Sequence, residues 1–243
     1  MQSNLAVNRK KQNSFYLLIG IVGVAAVFIG FFTTYIRPFV SQQFTAPAIV
    51  HIHGALSFSW ILLFLVQTLV IKFRKFPWHR RLGYAGVVIA IGVVLTLPWV
   101  GKFQVDKDLA RGLGDTAVSA IVGIMTTSIM FFGFVAAGVR FRRRPKIHKR
   151  LMLLATIIIL WPAWFRFRHY FPSVPRPDIW FGVVLADSLI LLAWMADGIT
   201  YRKIHPVLLL GGMFIIAENT AEVLLFDTEP WRNLAKWIYA LIG

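Results

Sequence analysis

Lys72-Phe-Arg-Lys-Phe-Pro-Trp-His-Arg-Arg-Leu82 returns about seventy residues later as Arg140-Phe-Arg-Arg-Arg-Pro-Lys-Ile-His-Lys-Arg-Leu151. Both copies run from a basic cluster through a Pro to a His, two further cations and a Leu, and both lie between long apolar stretches. A bilayer core about 30 Å thick needs roughly twenty apolar residues per helical span. Segments of about that length cover 14–36, 49–71, 82–101, 117–139, 151–171, 179–197 and 206–226. Backbone polar groups in lipid must be satisfied within the segment, so these are helices rather than open strands. The expected fold is all-α, a polytopic bundle of seven transmembrane helices in one domain over 14–226, with a loose polar segment at 1–13 and an interfacial C-terminal segment at 227–243.

Composition agrees with this class. Hydrophobic residues make up 58% of the chain and charged residues 15%. Segment 14–36 is too long for a removable signal peptide and lacks a small-residue cleavage site, so it is expected to be the first span. There is no Cys, which excludes disulfides, thiolate metal sites and Cys nucleophiles. The net charge of +16 raises the question of nucleic acid, but the distribution answers against it. With the N-terminus inside, 17 of the 26 cations fall in inner segments, chiefly at Lys72–Arg81, at Arg140–Arg150 and at Arg202–Lys203. The outer connections either balance their charge, from Lys102 to Asp115, or are Pro-rich, from Pro172 to Pro177. This is the positive-inside pattern. The cations are expected to meet anionic lipid headgroups at the inner leaflet, and the C-terminus to lie outside with Trp231 and Trp237 at the interface. Another copy of the chain or another membrane protein remains the partner class to consider.

The repeated stretch implies three related hairpins, from spans 2–3, 4–5 and 6–7, the last with the degenerate loop Tyr201-Arg-Lys-Ile-His-Pro206. All three point the same way, so the repeat is parallel, with its axis along the membrane normal. The competing explanation is that any short inner loop is basic and contains Pro. Glycines such as Gly20, Gly23, Gly30, Gly211 and Gly212 are expected at packing seams, where small residues let helices approach in lipid.

Five motifs in order carry a resemblance. His51-Ile-His53-Gly54, with Trp60 and Gln67, is followed by His79-Arg-Arg-Leu-Gly83, His148-Lys-Arg-Leu-Met152, His205-Pro206 and Gly211-Gly212. The set resembles a group of small bacterial seven-helix inner-membrane proteins with no established activity. The resemblance covers nearly the whole chain and implies a multi-pass protein of the bacterial inner membrane. It is loosest at Glu218-Asn-Thr-Ala-Glu222, so the role of these acids belongs to this chain.

Two polar groupings carry candidate chemistry. On the outer side are His51, His53, Arg166, Arg168, His169, Asp187, Glu218 and Glu222. A charge in the hydrocarbon core costs roughly 2.5–3.5 kcal/mol on the insertion scale, so each deep group needs a partner or a proton. Asp187 and Glu218 are the deepest, and Arg166 is the expected cation beside them, forming either a structural ion pair or an outward-opening pocket. His53, His169, Glu218 and Glu222 are chemically suited as a transition-metal set, since imidazole and carboxylate suit Zn, Cu, Fe or Mn. His51 and His53 diverge by about 200° on a helix, so only His53 is counted. Pro162 removes a backbone hydrogen bond beside this cluster and should re-aim Arg166 and His169.

On the inner side His79, His148 and His205 each open a helix at similar depth. They have the residue type for axial ligation of a haem b, with neighbouring cations for its propionates. Against that, a His in the first turn of a helix is commonly an interfacial or capping residue. Helix starts earlier than 82 and 151 would carry His79 and His148 deeper. Nucleotide loops, dinucleotide fingerprints, nucleophile elbows and zinc-protease motifs are all missing. Three functions follow: a metal or haem protein for redox, sensing or metal handling; a proton-coupled small-solute transporter using Asp187 and Glu218; or a scaffold without cofactor.

Overall fold

The computed structural model describes residues 14–242, and the segment 1–13 expected to be loose lies outside the described residues. Seven described helices are long and apolar enough to cross a membrane: α1 (Ser14–Val40), α2 (Ala48–Lys72), α3 (Phe76–Ala110), α4 (Asp115–Arg140), α5 (Pro145–His169), α6 (Pro177–Tyr201) and α7 (Pro206–Leu225). A short amphipathic helix, α8, follows at Glu229–Ile242.

Local chemistry sets the boundaries. Pro opens α5, α6 and α7 and stands second in α3. Its fixed φ suits the first helical turn and its missing N–H costs nothing there. The chain reverses through left-handed residues at Arg74 (φ 58°) before α3 and at Arg202 (φ 59°) after α6. The Pro of each basic stretch therefore belongs to the helix, not to the loop. The helices begin at Phe76 and Pro145, six residues ahead of the apolar runs, and His79 and His148 each lie three residues inside.

α5 is the central post. Its Leu153, Leu154, Ala155 and Leu160 are completely buried, among side chains of α1, α2, α4, α6 and α7. Glycines seat the neighbours against it. A Cβ on Gly30 of α1 would overlap the Ala163 carbonyl of α5, and one on Gly212 of α7 would press on Ile190 and Trp194 of α6. Such contact replaces the hydrophobic drive that is absent between helices in lipid. Gly83 and Gly133, by contrast, face open space. Beyond Pro162, α5 tightens to a 3-10 turn over Arg166–His169, and both α1 and α6 contain a π-helical stretch, at Phe32–Ile36 and Trp180–Leu185.

α3 corrects the expected third span. It runs for 35 residues, about 52 Å at 1.5 Å per residue, well beyond a hydrocarbon core of about 30 Å. The charged stretch expected as an outer loop is its last three turns, stapled by Lys102 to Asp106 (3.0 Å) and Gln104 to Asp108 (2.7 Å). These are i,i+4 pairs, which support a helix rather than interrupt it. α8 packs on this extension and on α4, making a second small core of Val105, Val118, Ile121, Val122 and Ala235. Lys236 pairs with Asp115 at 2.6 Å, Tyr239 bonds Asp106, and Trp231 Nε1 donates to the Ser119 carbonyl at 3.0 Å. The C-terminal segment is thus docked on protein along one face.

Candidate functional site

Two polar sites lie at opposite halves of the bundle. The first is a carboxyl pocket between α4, α5, α6 and α7. Asp187 lies two residues beyond the π-helical stretch of α6, a feature frequent at functional positions. It is 4% exposed. Its Oδ1 accepts a hydrogen bond from Asn219 Nδ2 at 2.7 Å, and its Oδ2 has no partner. Asp187 and Asn219 line a cavity of about 10 Å³ together with Thr127, Trp161 and apolar residues of α4, α5 and α7. That is roughly the space for one water molecule. Glu218 adjoins Asn219, and both its carboxyl oxygens are buried without a well-formed hydrogen bond. Glu222, one turn on and so on the same face, lies over Gly123 of α4, where a Cβ would overlap its carboxyl.

Among the described residues no cation joins these acids, which corrects the expected pairing with Arg166. The Arg166 guanidinium stacks on Phe31 of α1 at 4.1 Å, and its Nη1 donates to the Pro162 carbonyl at 2.8 Å. Arg168 turns back likewise, 3.8 Å over Phe165 and bonded to the Phe165 carbonyl at 3.0 Å. Both arginines are satisfied by a carbonyl and a ring, and the 3-10 turn after Pro162 directs Arg166 to α1.

The expected outer metal set of His53, His169, Glu218 and Glu222 is not assembled. Among the described residues no group of three or more His, Asp or Glu is placed to hold a metal ion. His53 has spent both nitrogens. Thr96 Oγ1 already donates to the Gly92 carbonyl at 2.7 Å, so His53 Nδ1 donates to Thr96 at 2.9 Å. Its Nε2 then accepts from Ser57 Oγ at 3.2 Å, leaving no lone pair for a metal. His169 stands beside Arg166 and Arg168, whose charge opposes a bound cation. His51 bonds Tyr35 at 2.7 Å inside an aromatic box of Tyr35, Phe39 and Phe44.

The second site is at the basic end, where the expected row of three histidines divides. His205 caps α7, its Nδ1 accepting from Val207 N at 3.2 Å. Burial and then the nearby Arg150 guanidinium hold its pKa below the ordinary imidazole value, as an accepting ring requires. That use removes it from the set. His79 and His148 do meet, edge to face, with ring centroids 6.2 Å apart and planes at 78°. His79 Nδ1 faces Gln67 Oε1 of α2 at 2.5 Å, and Gln67 Nε2 donates to the His79 carbonyl at 3.2 Å. His148 Nδ1 donates to the Gly138 carbonyl of α4 at 2.8 Å. Each histidine is thus held by the preceding helix of its own hairpin.

Beside this pair is a feature the sequence reading passed over. Arg150, counted there among the interfacial cations, is 2% exposed and forms a bidentate pair with Asp197, at 2.8 Å from Nε and 2.7 Å from Nη2. Asp197 also accepts from the backbone N–H of His205 at 3.2 Å. The available signal was depth: Arg150 and Asp197 each lie about one turn inside a basic loop, on helices expected to share that end. No family model, curated protein or solved structure matches this sequence.

Proposed function

We propose that this chain is a multi-pass protein of the bacterial inner membrane, basic end inward, that couples proton binding at Asp187, Glu218 and Glu222 to the passage of a small solute. One observation carries the reading: Asp187 Oδ2 and both Glu218 carboxyl oxygens are buried without a well-formed hydrogen bond, Thr126 being the one hydroxyl near Glu218, and among the described residues no guanidinium or ammonium pairs with them. An unpaired carboxylate in an apolar interior is expensive, whereas the neutral acid is not. The site therefore has two states. With protons bound it is neutral and closed over a water-sized cavity. With protons released it is an anionic site that draws in water or a positively charged solute. Exchange between a proton and such a solute follows from charge alone, and the break in regular helix at Trp180–Leu185 is where α6 can yield. The seven-span bundle, with the acids set between four of its helices, supports this assignment.

The first test is chemical labelling, which needs no known substrate; the second follows protons during uptake of a small organic cation. Dicyclohexylcarbodiimide reacts with protonated carboxyl groups in apolar surroundings. Mass spectrometry of the treated protein should find the adduct on Asp187, Glu218 or Glu222. In liposomes with an entrapped pH dye, Asp187→Asn should abolish the proton movement that accompanies solute uptake while the protein still purifies as a folded species. No adduct at these acids, and proton movement indifferent to both Asp187→Asn and Glu218→Gln, would return them to a structural role in a scaffold protein.

A further inference from the structure

We propose that His79 and His148 bind one transition-metal centre, either a bare ion or the iron of a haem, through their Nε2 atoms. The argument begins with the protons. Gln67 gives its amide N–H to the His79 carbonyl, so the group it turns toward His79 Nδ1 is its carbonyl oxygen. The Gly138 oxygen facing His148 Nδ1 is also an acceptor only. Both Nδ1 atoms therefore carry hydrogen. Both Nε2 atoms carry a lone pair, and neither has a hydrogen-bond partner among the described residues. An imidazole whose far N–H is fixed by a carbonyl oxygen is the usual arrangement of a metal-bound histidine, because the acceptor sets the tautomer and the ring direction.

Spacing fits as well. Two imidazole nitrogens about 2.0 Å from one metal place their ring centroids about 6 Å apart, and the rings here are 6.2 Å apart. The same device is built twice. In each hairpin a helix supplies the acceptor and the next helix supplies the histidine three residues inside its start. The two rings thus come from α3 and α5, held from α2 and α4. Interfacial solvation does not account for this duplication, because it needs no fixed tautomer.

Charge separates the two sources of metal. Arg80 lies close enough to act on His79, and the flanking Arg81, Arg144 and Lys146 are exposed at the same end. Like charges oppose a bare divalent ion. A haem brings two propionates that such cations pair with, so the rim favours iron in an anionic macrocycle.

The experiment uses the full chain in detergent, stripped with chelator and then given hemin in one arm and Zn²⁺ or Cu²⁺ in the other. Haem binding should give one equivalent per chain and the sharp spectrum of six-coordinate, low-spin iron. Ion binding without haem binding would show as one equivalent by elemental analysis. In the arm that binds, His79→Ala and His148→Ala should each remove the tight site, while His53→Ala and His205→Ala keep it. Gln67→Leu, a positioning change, should weaken binding about 10–100-fold. His148→Met should keep iron but shift its spectrum, which a merely structural histidine would not do. Should the alanine variants fail to fold, wild-type protein decides: diethylpyrocarbonate should modify His79 and His148 in the stripped form and spare them in the loaded form. Absence of one-equivalent binding in both arms overturns the proposal, as does binding that survives loss of both histidines or leaves both open to the reagent.

Discussion

Removing the Asp197 carboxylate should destabilise the protein far more than removing a surface charge would. Arg150 and Asp197 have side chains only 3% and 5% exposed and are joined by two hydrogen bonds. Asp197→Ala leaves the guanidinium in the bundle with the Lys146 carbonyl, at 2.7 Å from Nη1, as its remaining hydrogen-bond acceptor. Breaking a buried pair from one side costs about 3–5 kcal/mol, since one charge is left uncompensated. The lost acceptor for the His205 N–H adds about 1 kcal/mol. Replacing both partners removes the uncompensated charge, so Arg150→Met with Asp197→Ala should recover most of the loss. Equilibrium unfolding of the purified protein, run as a double-mutant cycle, measures this directly. A single-variant loss below about 1 kcal/mol, the range of an exposed pair, would refute the reasoning. So would a double variant less stable than either single one.

The remaining expectations concern the half of the bundle opposite the basic loops. Asp227 anchors α8 through Arg232 at 3.0 Å, Ser119 at 2.9 Å and Thr116 at 2.9 Å, and these bonds, Arg232 first, hold its carboxyl below the ordinary range. A group whose pKa is depressed on folding contributes stability above its unfolded value, near 3.9, and loses it as pH falls through the folded value. α8 should therefore loosen in acid below about pH 4, seen as a change in Trp231 fluorescence, and Asp227→Asn should loosen it already at neutral pH. Gly30→Val should force α1 from the Ala163 carbonyl and cost about 1–3 kcal/mol in the same unfolding assay. Gly123→Ala should displace the Glu222 carboxyl, so that carbodiimide labelling at Glu222 falls while the protein stays folded.

Much of the architecture is written in the alternation of apolar runs with basic loops. Lipid allows few backbone arrangements, so length and hydrophobicity alone name the spans. Boundaries were less legible. Lys102, Asp106 and Asp108 read as loop by polarity, yet polarity at i,i+4 spacing also describes a solvated helix, and α3 takes that form. The acids were found by cost: Asp187, Glu218 and Glu222 stand out because charge in a span must be accounted for. Their partners were not found, because depth along a helix does not say which way a side chain faces. Arg166 and Asp187 share a depth but not a face. His53 was chosen by residue type, while the property that disqualifies it, a hydroxyl on each nitrogen, depends on Thr96 from another helix. The pairing of His79 with His148 was implicit in the repeated stretch, and its geometry needed the fold.

The length of α3 has a mechanical consequence. Its last turns and α8 form a rigid collar above the bundle, with Trp237 and Leu241 turned outward on the side away from the small core. In a bilayer such a collar would float at the waterline and set the draught of the whole molecule. One residue inserted between Asp106 and Ala110 of α3 would swing whatever lies beyond it by about 100° and raise it by about 1.5 Å. The float would then list, because its staples to Asp106 and Asp115 lie on both sides of the insertion.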